Sequence, residues 1–454
     1  MIRSINPATD EVIATYEAHS PTFVERAIAR AQEAQASWVY TSLDTRATHL
    51  QRLANTLTER RDALAELMAR EMGKPIREGV AEIDKCAWVC RYYADNGATM
   101  LADLPISTER TKSYVAYRPL GVVLAVMPWN FPFWQVFRFL APALMAGNAG
   151  VLKHASNVTG CALAIDDMVA ASGFPAGLFR TLILPSTRVA EVLTNPGVAA
   201  ATLTGSDVAG RAVASRAGAS LKKTVLELGG SDPYLVLADA DLDIAVTACS
   251  AGRLLNAGQS CIAAKRFIVH TSIVGEFTTR LAERMAEAVM GDPLDPGVTL
   301  GPLARADLRD DLHDQVRRSL SAGARLVIGG TVPPGPGAFY PPTVLADVAA
   351  GMPVYSEETF GPVASVMSFD DESDAIRIAN DSDFGLGAAV FTRDVVRGEQ
   401  IARERLEAGA CFVNSFVASD PRLPFGGIKM SGYGRELAAN GMHEFLNIKT
   451  VVVD

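Results

Sequence analysis

Three residues of the chain have side chains suited to nucleophilic chemistry at a carbonyl carbon, namely Asn130, Glu227 and Cys261. A thiolate at Cys261 can add to an aldehyde carbon, and the Asn130 amide together with the Cys261 backbone N–H can stabilise the oxyanion that results. After hydride loss, a carboxylate at Glu227 can activate the water that hydrolyses the remaining thioester. The three side chains together are the set needed for covalent oxidation of an aldehyde.

Each of these residues also has a structural explanation. A lone cysteine is more often a small buried hydrophobe, a lone glutamate is usually solvated, and an asparagine among prolines is a common turn residue. The polar run Gly-Gln-Ser before Cys261 argues against a core strand, and Glu227 ends the strand-like run 224–228. Only the conjunction of all three residues favours a catalytic site.

The composition is typical of a large water-soluble enzyme. At 454 residues the chain is long enough for roughly three domains. The formal net charge of −9 disfavours a nucleic acid or an anionic membrane as partner. The N-terminus has no apolar leader and no segment has the length of an apolar membrane span, so we expect a cytoplasmic protein.

The cysteines and histidines give no sign of a metal site. The six cysteines, at 86, 90, 161, 249, 261 and 411, form neither a zinc spacing nor a CxxC pair, and the six histidines are scattered. This pattern indicates reduced thiols and no metal.

Helices are predicted for the first hundred residues, with one beginning at Ser20-Pro21 and a helical segment ending at Gly73. From Tyr114 onward, strand-like runs such as 121–126 and 199–204 alternate with helical stretches, which indicates parallel α/β sheets. A second alternating set follows Gly230, so we predict two α/β domains. Segments 111–119 and 447–454 look like strands that belong to neither sheet.

The motifs of the chain resemble those of the aldehyde dehydrogenase family. The match begins at Ile5-Asn6-Pro7-Ala8-Thr9 and runs to the C-terminus, and its most specific motifs are Glu-Leu-Gly-Gly at 227–230, Gly-Gln-Ser-Cys at 258–261, Glu-Glu-Thr-Phe-Gly-Pro at 357–362 and Pro-Phe-Gly-Gly-Ile-Lys at 424–429. Within the family, segments 127–135, 153–157 and 228–233 are most similar to bacterial succinate-semialdehyde dehydrogenases.

The resemblance implies an aldehyde dehydrogenase-like α/β fold with a Rossmann-like cofactor domain, an α/β catalytic domain and a small β oligomerisation flap. It also implies a homodimer or homotetramer. The expected bounds are 1–108 and 120–228 for the cofactor domain, 229–416 for the catalytic domain, 109–119 and 435–454 for the oligomerisation strands, and 417–434 for a connecting segment near the substrate site.

The chain has no GxGxxG fingerprint for a dinucleotide. Instead, a strand ends at Thr204 and leads through Gly205 and Ser206 into a helix that contains Gly210. The N–H groups at such a helix start and the Ser206 hydroxyl can hold a pyrophosphate oxygen. Taken alone, Ser206 would be a simple helix cap, but the resemblance places the cofactor here.

The resemblance also implies the remaining cofactor contacts. Lys153 would bind the adenosine ribose or its phosphate, although a lone lysine is more often a solvated surface residue. Ser156 occupies a position where NAD-preferring relatives carry a glutamate, so NADP is the expected cofactor and NAD a possible one. Glu358 would position the nicotinamide ribose, with a mobile surface turn as the alternative.

Three aromatic or apolar residues complete the predicted cofactor cleft. The resemblance implies that Phe360 contacts the nicotinamide ring and that Trp129 and Leu228 line the same cleft. For the last two residues, ordinary core packing is the alternative explanation.

Arg138, eight positions after Asn130, is the informative residue for the substrate. An arginine in an apolar helix often pairs with a structural carboxylate. In succinate-semialdehyde relatives, however, an arginine here binds the distal carboxylate of the substrate, assisted by a serine at the position of Ser419; Trp134 is a further predicted contact. Some relatives carry a second arginine where this chain has Leu255, which implies looser selectivity.

The sequence therefore predicts NAD(P)-dependent oxidation of succinate semialdehyde to succinate through a thiohemiacetal and a thioester on Cys261. A broad-specificity enzyme for other aliphatic aldehydes or semialdehydes is one alternative. A cofactor-independent thiol hydrolase or acyltransferase is another, but it would leave Ser206, Lys153 and Glu358 without a role.

Overall fold

The computed structural model describes residues 1–454, which form 20 β-strands. The strands are β1 Ile2–Ile5, β2 Val12–Tyr16, β3 Leu104–Pro105, β4 Lys112–Pro119, β5 Val122–Met127, β6 Ala149–His154, β7 Phe179–Thr181, β8 Val198–Thr204, β9 Lys223–Glu227, β10 Asp232–Val236, β11 Ala264–His270, β12 Arg325–Ile328, β13 Thr343–Ala346, β14 Val363–Phe369, β15 Phe384–Gly385, β16 Gly387–Phe391, β17 Ala410–Val413, β18 Ile428–Lys429, β19 Gly432–Tyr433 and β20 Leu446–Val453.

The chain also forms 15 α-helices and three short 3₁₀ turns. The helices are α1 Pro21–Trp38, α2 Leu43–Glu59, α3 Arg61–Met72, α4 Ile76–Met100, α5 Trp134–Ala146, α6 Thr159–Ala171, α7 Val189–Thr194, α8 Asp207–Ala219, α9 Leu242–Leu254, α10 Val274–Ala286, α11 Ala306–Ser321, α12 Pro353–Ser356, α13 Glu372–Asn380, α14 Val395–Glu404 and α15 Ala438–His443. The 3₁₀ turns span Ser156–Val158, Ser186–Arg188 and Leu255–Gly258.

The first of two large sheets has six strands in the order β19-β9-β8-β5-β6-β7. All its neighbours are parallel except β19 and β9, which are antiparallel. Parallel strands are buried on both faces, and β5 and β8 accordingly consist of nearly continuous apolar runs. The carboxyl ends of the parallel strands lie at one edge of the sheet. Asn130 follows β5 at this edge, and Glu227 is the last residue of β9.

The second large sheet has seven strands in the order β12-β13-β14-β11-β10-β16-β17. Its neighbours are parallel except β12 and β13. Cys261 lies just before β11, at its amino end, and Lys265 is the second residue of that strand. This sheet therefore carries the predicted nucleophile, whereas the six-stranded sheet carries the other two catalytic candidates.

α1 begins and α3 ends where the sequence predicts, but the strands β1 and β2, which the sequence analysis did not predict, precede these helices. The Ser20 hydroxyl caps α1 by accepting a hydrogen bond from the Phe23 N–H, and Pro21 is the first helical residue. Gly73 ends α3 with a φ of 79°, a conformation that glycine adopts without strain. α4 packs along α2, α3 and α5, and this brings its buried face close to the start of α5.

A separate three-stranded sheet has the order β20-β4-β3. β20 pairs with β4 antiparallel over eight residues, from Leu446 opposite Pro119 to Val453 opposite Lys112. The segment predicted as oligomerisation strands, 435–454, contains more than strand, because a turn and the helix α15 precede β20. β3 also joins this sheet; the sequence analysis missed it because two residues give no detectable alternation.

The predicted fold class is confirmed, with mixed α/β architecture built on two largely parallel sheets. The bounds of the individual domains stay a prediction. None of the helices combines the length and the apolar character that a membrane crossing requires.

Candidate active site

Cys261 follows a tight turn in which three successive residues have left-handed backbone angles. The φ values are 54° at Asn256, 53° at Ala257 and 74° at Gly258. Such angles are uncommon for residues other than glycine and cost of order 1–3 kcal/mol each. At Gly258 a Cβ atom would lie 2.3 Å from the carbonyl oxygen of Gly361, so only glycine fits. The approach to the nucleophile is thus a strained backbone conformation held by its surroundings.

Two side chains hold this loop in place. The Lys265 ammonium donates to the carbonyl oxygens of Cys261 at 2.8 Å and Ser260 at 3.1 Å. The Gln259 side-chain oxygen accepts a hydrogen bond from the Ala304 N–H at 2.8 Å. Lys265 and Gln259 are both almost fully buried, so these bonds are shielded from water.

Asn130 lies beside this loop, just beyond the carboxyl end of β5. The Asn130 side-chain Nδ2 donates to the backbone carbonyl oxygen of Gln259 at 3.1 Å. The backbone carbonyl oxygen of Asn130 accepts a hydrogen bond from Asn256 Nδ2 at 2.7 Å. An amide nitrogen has two N–H groups, so one remains free to donate to an oxyanion. The hydrogen bonds fix the Asn130 side chain next to the loop that carries Cys261, in agreement with its predicted role.

Glu227 is the last residue of β9 and is only 1% exposed. Neither of its carboxylate oxygens accepts a hydrogen bond. Burial raises its pKa well above the ordinary value, Arg138 opposes this shift, and Glu436 adds to it. A raised pKa makes the carboxylate a stronger base, so Glu227 stays the candidate general base.

The surroundings of Cys261 favour the neutral thiol over the thiolate. Burial raises its pKa to about 12, although the positive charges of Arg138 and Lys265 act to lower it. The negative charges of Glu358 and Glu227 raise it further. Nucleophilic attack by Cys261 therefore requires removal of its proton during the reaction.

The residues predicted to hold the pyrophosphate lie at the start of α8. Ser206 is exposed, and its hydroxyl caps the helix by accepting a hydrogen bond from the Ala209 N–H at 3.3 Å. A Cβ atom on Gly210 would lie 2.7 Å from the Leu228 side chain, so this glycine allows α8 to pack closely against the end of β9. The Gly205 N–H donates to the Glu227 carbonyl oxygen at 3.0 Å. The predicted pyrophosphate-binding helix start is thus adjacent to the predicted base.

Lys153 and Ser156 lie together at the end of β6. Lys153 is 7% exposed and burial lowers its pKa, yet it forms no ion pair. Ser156 begins the 3₁₀ turn that follows. A largely buried cation without a carboxylate partner fits a phosphate-bearing ligand, and at position 156 the chain presents a neutral hydroxyl.

Glu358, Phe360 and Trp129 come together on the other side of the predicted cofactor cleft. Glu358 accepts a hydrogen bond from the Gly230 N–H at 3.0 Å and lies 3.6 Å from the Lys265 ammonium. The rings of Trp129 and Phe360 meet edge to face, with centroids 5.6 Å apart. Glu358 is thus held by named contacts, unlike a mobile surface turn, and Lys265 links it to the Cys261 loop.

A cavity of about 180 Å³ adjoins the nucleophile. Its wall includes Cys261 and the three predicted substrate residues, Arg138, Trp134 and Ser419. Leu255 also lines it, and the side chains around these groups are mostly apolar. The fold therefore brings the candidate nucleophile and all three predicted substrate contacts into one space, which matches the mixture of apolar walls and few polar groups found in ligand pockets.

Arg138 reaches this cavity with its charge already compensated. Its Nε forms an ion pair with Glu436, and its Nη2 donates to Thr204 Oγ1 at 3.2 Å. The guanidinium carbon lies 4.8 Å from the centre of the Phe425 ring. The pairing of Arg138 with a structural carboxylate, the alternative considered from sequence, is therefore present; a role in substrate binding would use the N–H groups that remain.

Sequence reasoning missed Lys85, which also lines the cavity. Its ammonium donates to Ser419 Oγ at 2.8 Å and lies 4.4 Å from the centre of the Trp134 ring. The sequence signal that could have identified Lys85 is its position on α4 between Glu82 and Cys86, both of which are buried.

Glu436 was also missed, since no motif marks it. No group of three or more His, Cys, Asp or Glu side chains is arranged to hold a metal ion.

The largely parallel six-stranded sheet, the cleft at its strand ends and the cysteine loop of the second sheet are the arrangement expected of an NAD(P)-dependent dehydrogenase. A sequence model described as the aldehyde dehydrogenase family matches residues 1–451. The chain belongs to this family. The predictions of the family and of an NAD(P)-dependent aldehyde dehydrogenase are thereby confirmed.

Several relatives cover nearly all of the chain. It is 49% identical over 450 residues to a probable succinate-semialdehyde dehydrogenase [NADP(+)] of Synechocystis sp., with 99% of each chain covered. It is 49% identical over 453 residues to succinate-semialdehyde dehydrogenase [NADP(+)] 1 of Mycobacterium tuberculosis, again with 99% of each covered.

The solved structures agree with the sequence relatives. The structure of succinic semialdehyde dehydrogenase from Streptococcus pyogenes with NADP+ as the cofactor has a TM-score of 0.98 and 38% identity, with all of both chains covered. An NADP-dependent enzyme from E. coli has a TM-score of 0.97 and 37% identity, with 100% of this chain and 94% of the other covered. The roles assigned to individual residues stay predictions.

Proposed function

We propose that this enzyme oxidises succinate semialdehyde to succinate with NADP as the preferred cofactor. The observation that carries the substrate assignment is the cavity in which Cys261 shares a wall with Arg138, Ser419 and Lys85. Cationic and hydrogen-bonding groups in the wall of a largely apolar cavity favour an aldehyde that also carries a carboxylate. Relatives with succinate-semialdehyde dehydrogenase in their names support the same assignment.

In this proposal Cys261 attacks the aldehyde carbon after losing its proton, and the carbonyl oxygen becomes an oxyanion. Asn130 donates its free N–H to that oxyanion, together with the Cys261 backbone N–H. A nicotinamide cofactor held by Glu358 and Phe360 would supply the hydride acceptor for the thiohemiacetal carbon. Glu227 then takes a proton from water, which attacks the thioester and releases the carboxylic acid and the Cys261 thiol.

In this proposal the chain's own residues would bind NADP and favour it over NAD. Lys153 would bind the adenosine ribose or its phosphate, and the helix start at Ser206 would hold a pyrophosphate oxygen. Glu358 would position the nicotinamide ribose. Ser156 places no carboxylate near a 2′-phosphate, so NADP is accepted without charge repulsion and NAD is not excluded.

A broader specificity for aliphatic aldehydes is the second candidate within the same family. Two observations favour it: Leu255 contributes an apolar, 37% exposed side chain to the cavity, and the charge of Arg138 is compensated by Glu436. A cofactor-independent thiol hydrolase is disfavoured, because it would leave Lys153, Ser206 and Glu358 without a role.

The deciding experiment follows reduced-cofactor absorbance with succinate semialdehyde, butanal and a panel of other aldehydes, each with NADP and with NAD. We expect the highest kcat/KM for succinate semialdehyde with NADP. A preference for butanal would leave only the broader function. Ester hydrolysis at full rate without cofactor, combined with no aldehyde oxidation, would instead favour the thiol hydrolase.

The small sheet supports the predicted homodimer or homotetramer. β20 and β3 are its two edges, and the exposed apolar side chains Ile448 and Val452 lie on β20. Exposed apolar strand edges are suited to association with another copy of the chain. Light scattering of the purified enzyme would distinguish two subunits from four. The cytoplasmic location stays a prediction.

A further inference from the structure

We propose that Lys85 on α4 binds the distal carboxylate of the substrate, with Ser419 as its hydrogen-bonding partner. This inference rests on the proposed function, since it concerns the end of the substrate remote from the aldehyde. It assigns a specificity-determining role to a residue that no motif of the sequence marks.

The first support is geometric. The Lys85 ammonium and the Ser419 hydroxyl are 2.8 Å apart, and both line the cavity that contains Cys261. An ammonium has three N–H donors and a hydroxyl has one, so the pair can bind both oxygens of a carboxylate while keeping contact with each other. The Trp134 ring, 4.4 Å from the ammonium, holds the lysine side chain on the cavity wall.

The second support is the balance of charge. Arg138 also reaches the cavity, but Glu436 is its ion-pair partner. No carboxylate lies within ion-pair distance of the Lys85 ammonium, whose only side-chain hydrogen bond is to Ser419. Lys85 is therefore the cation of this cavity that has no ion-pair partner, since Glu82 and Asp420 act on it only from beyond ion-pair distance. An anion that enters gains most from this ammonium.

The third support is the cost of leaving this cation unpaired. Burial lowers the pKa of Lys85 to about 8, and the positive charge of Arg138 lowers it too. A carboxylate bound at the ammonium would reverse this shift, because an opposite charge within a few ångströms favours the charged form. The unpaired state is thus electrostatically unfavourable, and a bound anion relieves it.

Three variants test the assignment. Lys85→Met keeps an unbranched stem but removes the charge, and Lys85→Arg keeps the charge. Arg91→Met is the matched control, because it removes one positive charge from the same helix, where the Arg91 side chain bonds Thr58 and does not line the cavity. The readout is the ratio of kcat/KM for succinate semialdehyde to kcat/KM for butanal, with NADP.

We expect Lys85→Met to lower this ratio about ten- to a hundredfold, as for loss of a charge-assisted hydrogen bond. The lower ratio should result mainly from a higher KM for succinate semialdehyde. The inhibition constant of succinate should rise as well. Lys85→Arg should retain most of the ratio, and Arg91→Met should keep the ratio of the parent enzyme.

The outcomes separate this inference from the proposed function. If the parent prefers succinate semialdehyde and Lys85→Met keeps that preference, the assignment of Lys85 is overturned while the proposed function stands. If Lys85→Met lowers kcat/KM for both aldehydes equally, the lysine is structural and the assignment again fails. A parent enzyme that prefers butanal overturns the proposed function itself.

Discussion

Arg138 and Glu436 form an ion pair in which the two side chains are only 2% and 5% exposed. Arg138 comes from α5 and Glu436 lies just before α15, so the pair joins two distant parts of the chain. Glu227 also responds to both charges, because Arg138 lowers its pKa and Glu436 raises it. One buried pair therefore influences both the substrate cavity and the candidate base.

Replacing Arg138 alone should damage the fold as well as substrate binding. Arg138→Met leaves Glu436 as an uncompensated buried carboxylate, and breaking such a pair costs about 3–5 kcal/mol. We expect the double variant Arg138→Met/Glu436→Leu to lose less stability than the sum of the two single variants. Urea unfolding of all four proteins measures this coupling; strictly additive losses would show that the two charges do not interact.

The Cys261→Ala variant should have no oxidation above background. No other side chain in the cavity is a thiol that can form the thioester. NADP binding, followed by fluorescence titration, should persist because the proposed cofactor contacts lie elsewhere. Turnover that survives in Cys261→Ala would eliminate the covalent mechanism.

The Glu227→Gln variant should separate acylation from deacylation. If Glu227 acts only on water, rapid mixing with aldehyde and NADP should give a burst of reduced cofactor equal to the enzyme concentration, followed by slow turnover. Absence of the burst would mean that Glu227 is required before hydride transfer, as the base that removes the Cys261 proton.

The Ser156→Glu variant should shift cofactor preference toward NAD. A carboxylate at position 156 would face a 2′-phosphate, and like charges in a partly desolvated site repel by roughly a few kcal/mol. The measurement is kcat/KM for NADP and NAD with one aldehyde. Ser156→Ala is the control, since it removes the hydroxyl without adding charge; an unchanged ratio in Ser156→Glu would remove this residue from cofactor selection.

Selectivity for succinate semialdehyde should depend on pH through Lys85. Its pKa of about 8 reflects burial first and then Arg138, while Cys86, Asp420 and Glu82 act in the opposite direction. Lys85 is cationic below this pKa and neutral above it, so the kcat/KM ratio of succinate semialdehyde to butanal should fall about tenfold between pH 7 and pH 9.

Comparing two aldehydes cancels the ionisation of Cys261 and Glu227, which changes kcat/KM for both substrates alike. Glu78 lines the same cavity, and burial raises its pKa to about 7, so its ionisation would also disfavour the anionic substrate as the pH rises. The Lys85→Arg variant is the control, since arginine stays charged throughout this range. A ratio that does not change across pH 8 in the parent enzyme would argue against carboxylate binding by Lys85.

The parts of the site that follow from local sequence could be predicted. Alternation of apolar runs with helical stretches located strands such as β5 and β8, and Asn130 and Glu227 were recognised because their side chains complement a cysteine nucleophile. The turn before Cys261 was marked by its glycine and polar residues. These signals are local, because the backbone conformation of a turn or strand end depends on a few adjacent residues.

The parts of the site that depend on distant contacts could not be predicted. Lys85 and Ser419 are 334 positions apart, and only the packing of α4 against α5 brings the lysine to the cavity. The pairing of Arg138 with Glu436 depends likewise on how the C-terminal segment folds back onto α5. Neither contact leaves a periodic pattern in the sequence, so the charge balance of the cavity required the three-dimensional structure.

The left-handed turn at Asn256, Ala257 and Gly258 lowers the stability of the fold but fixes the position of the Cys261 loop. Glycine at position 257 would relieve the strain of a φ of 53°, yet it would also give the segment before Cys261 more conformational freedom. Selection for heat resistance alone should therefore accept Ala257→Gly, whereas selection for turnover should reject it. Laboratory evolution of this enzyme under the two regimes is expected to diverge at this position.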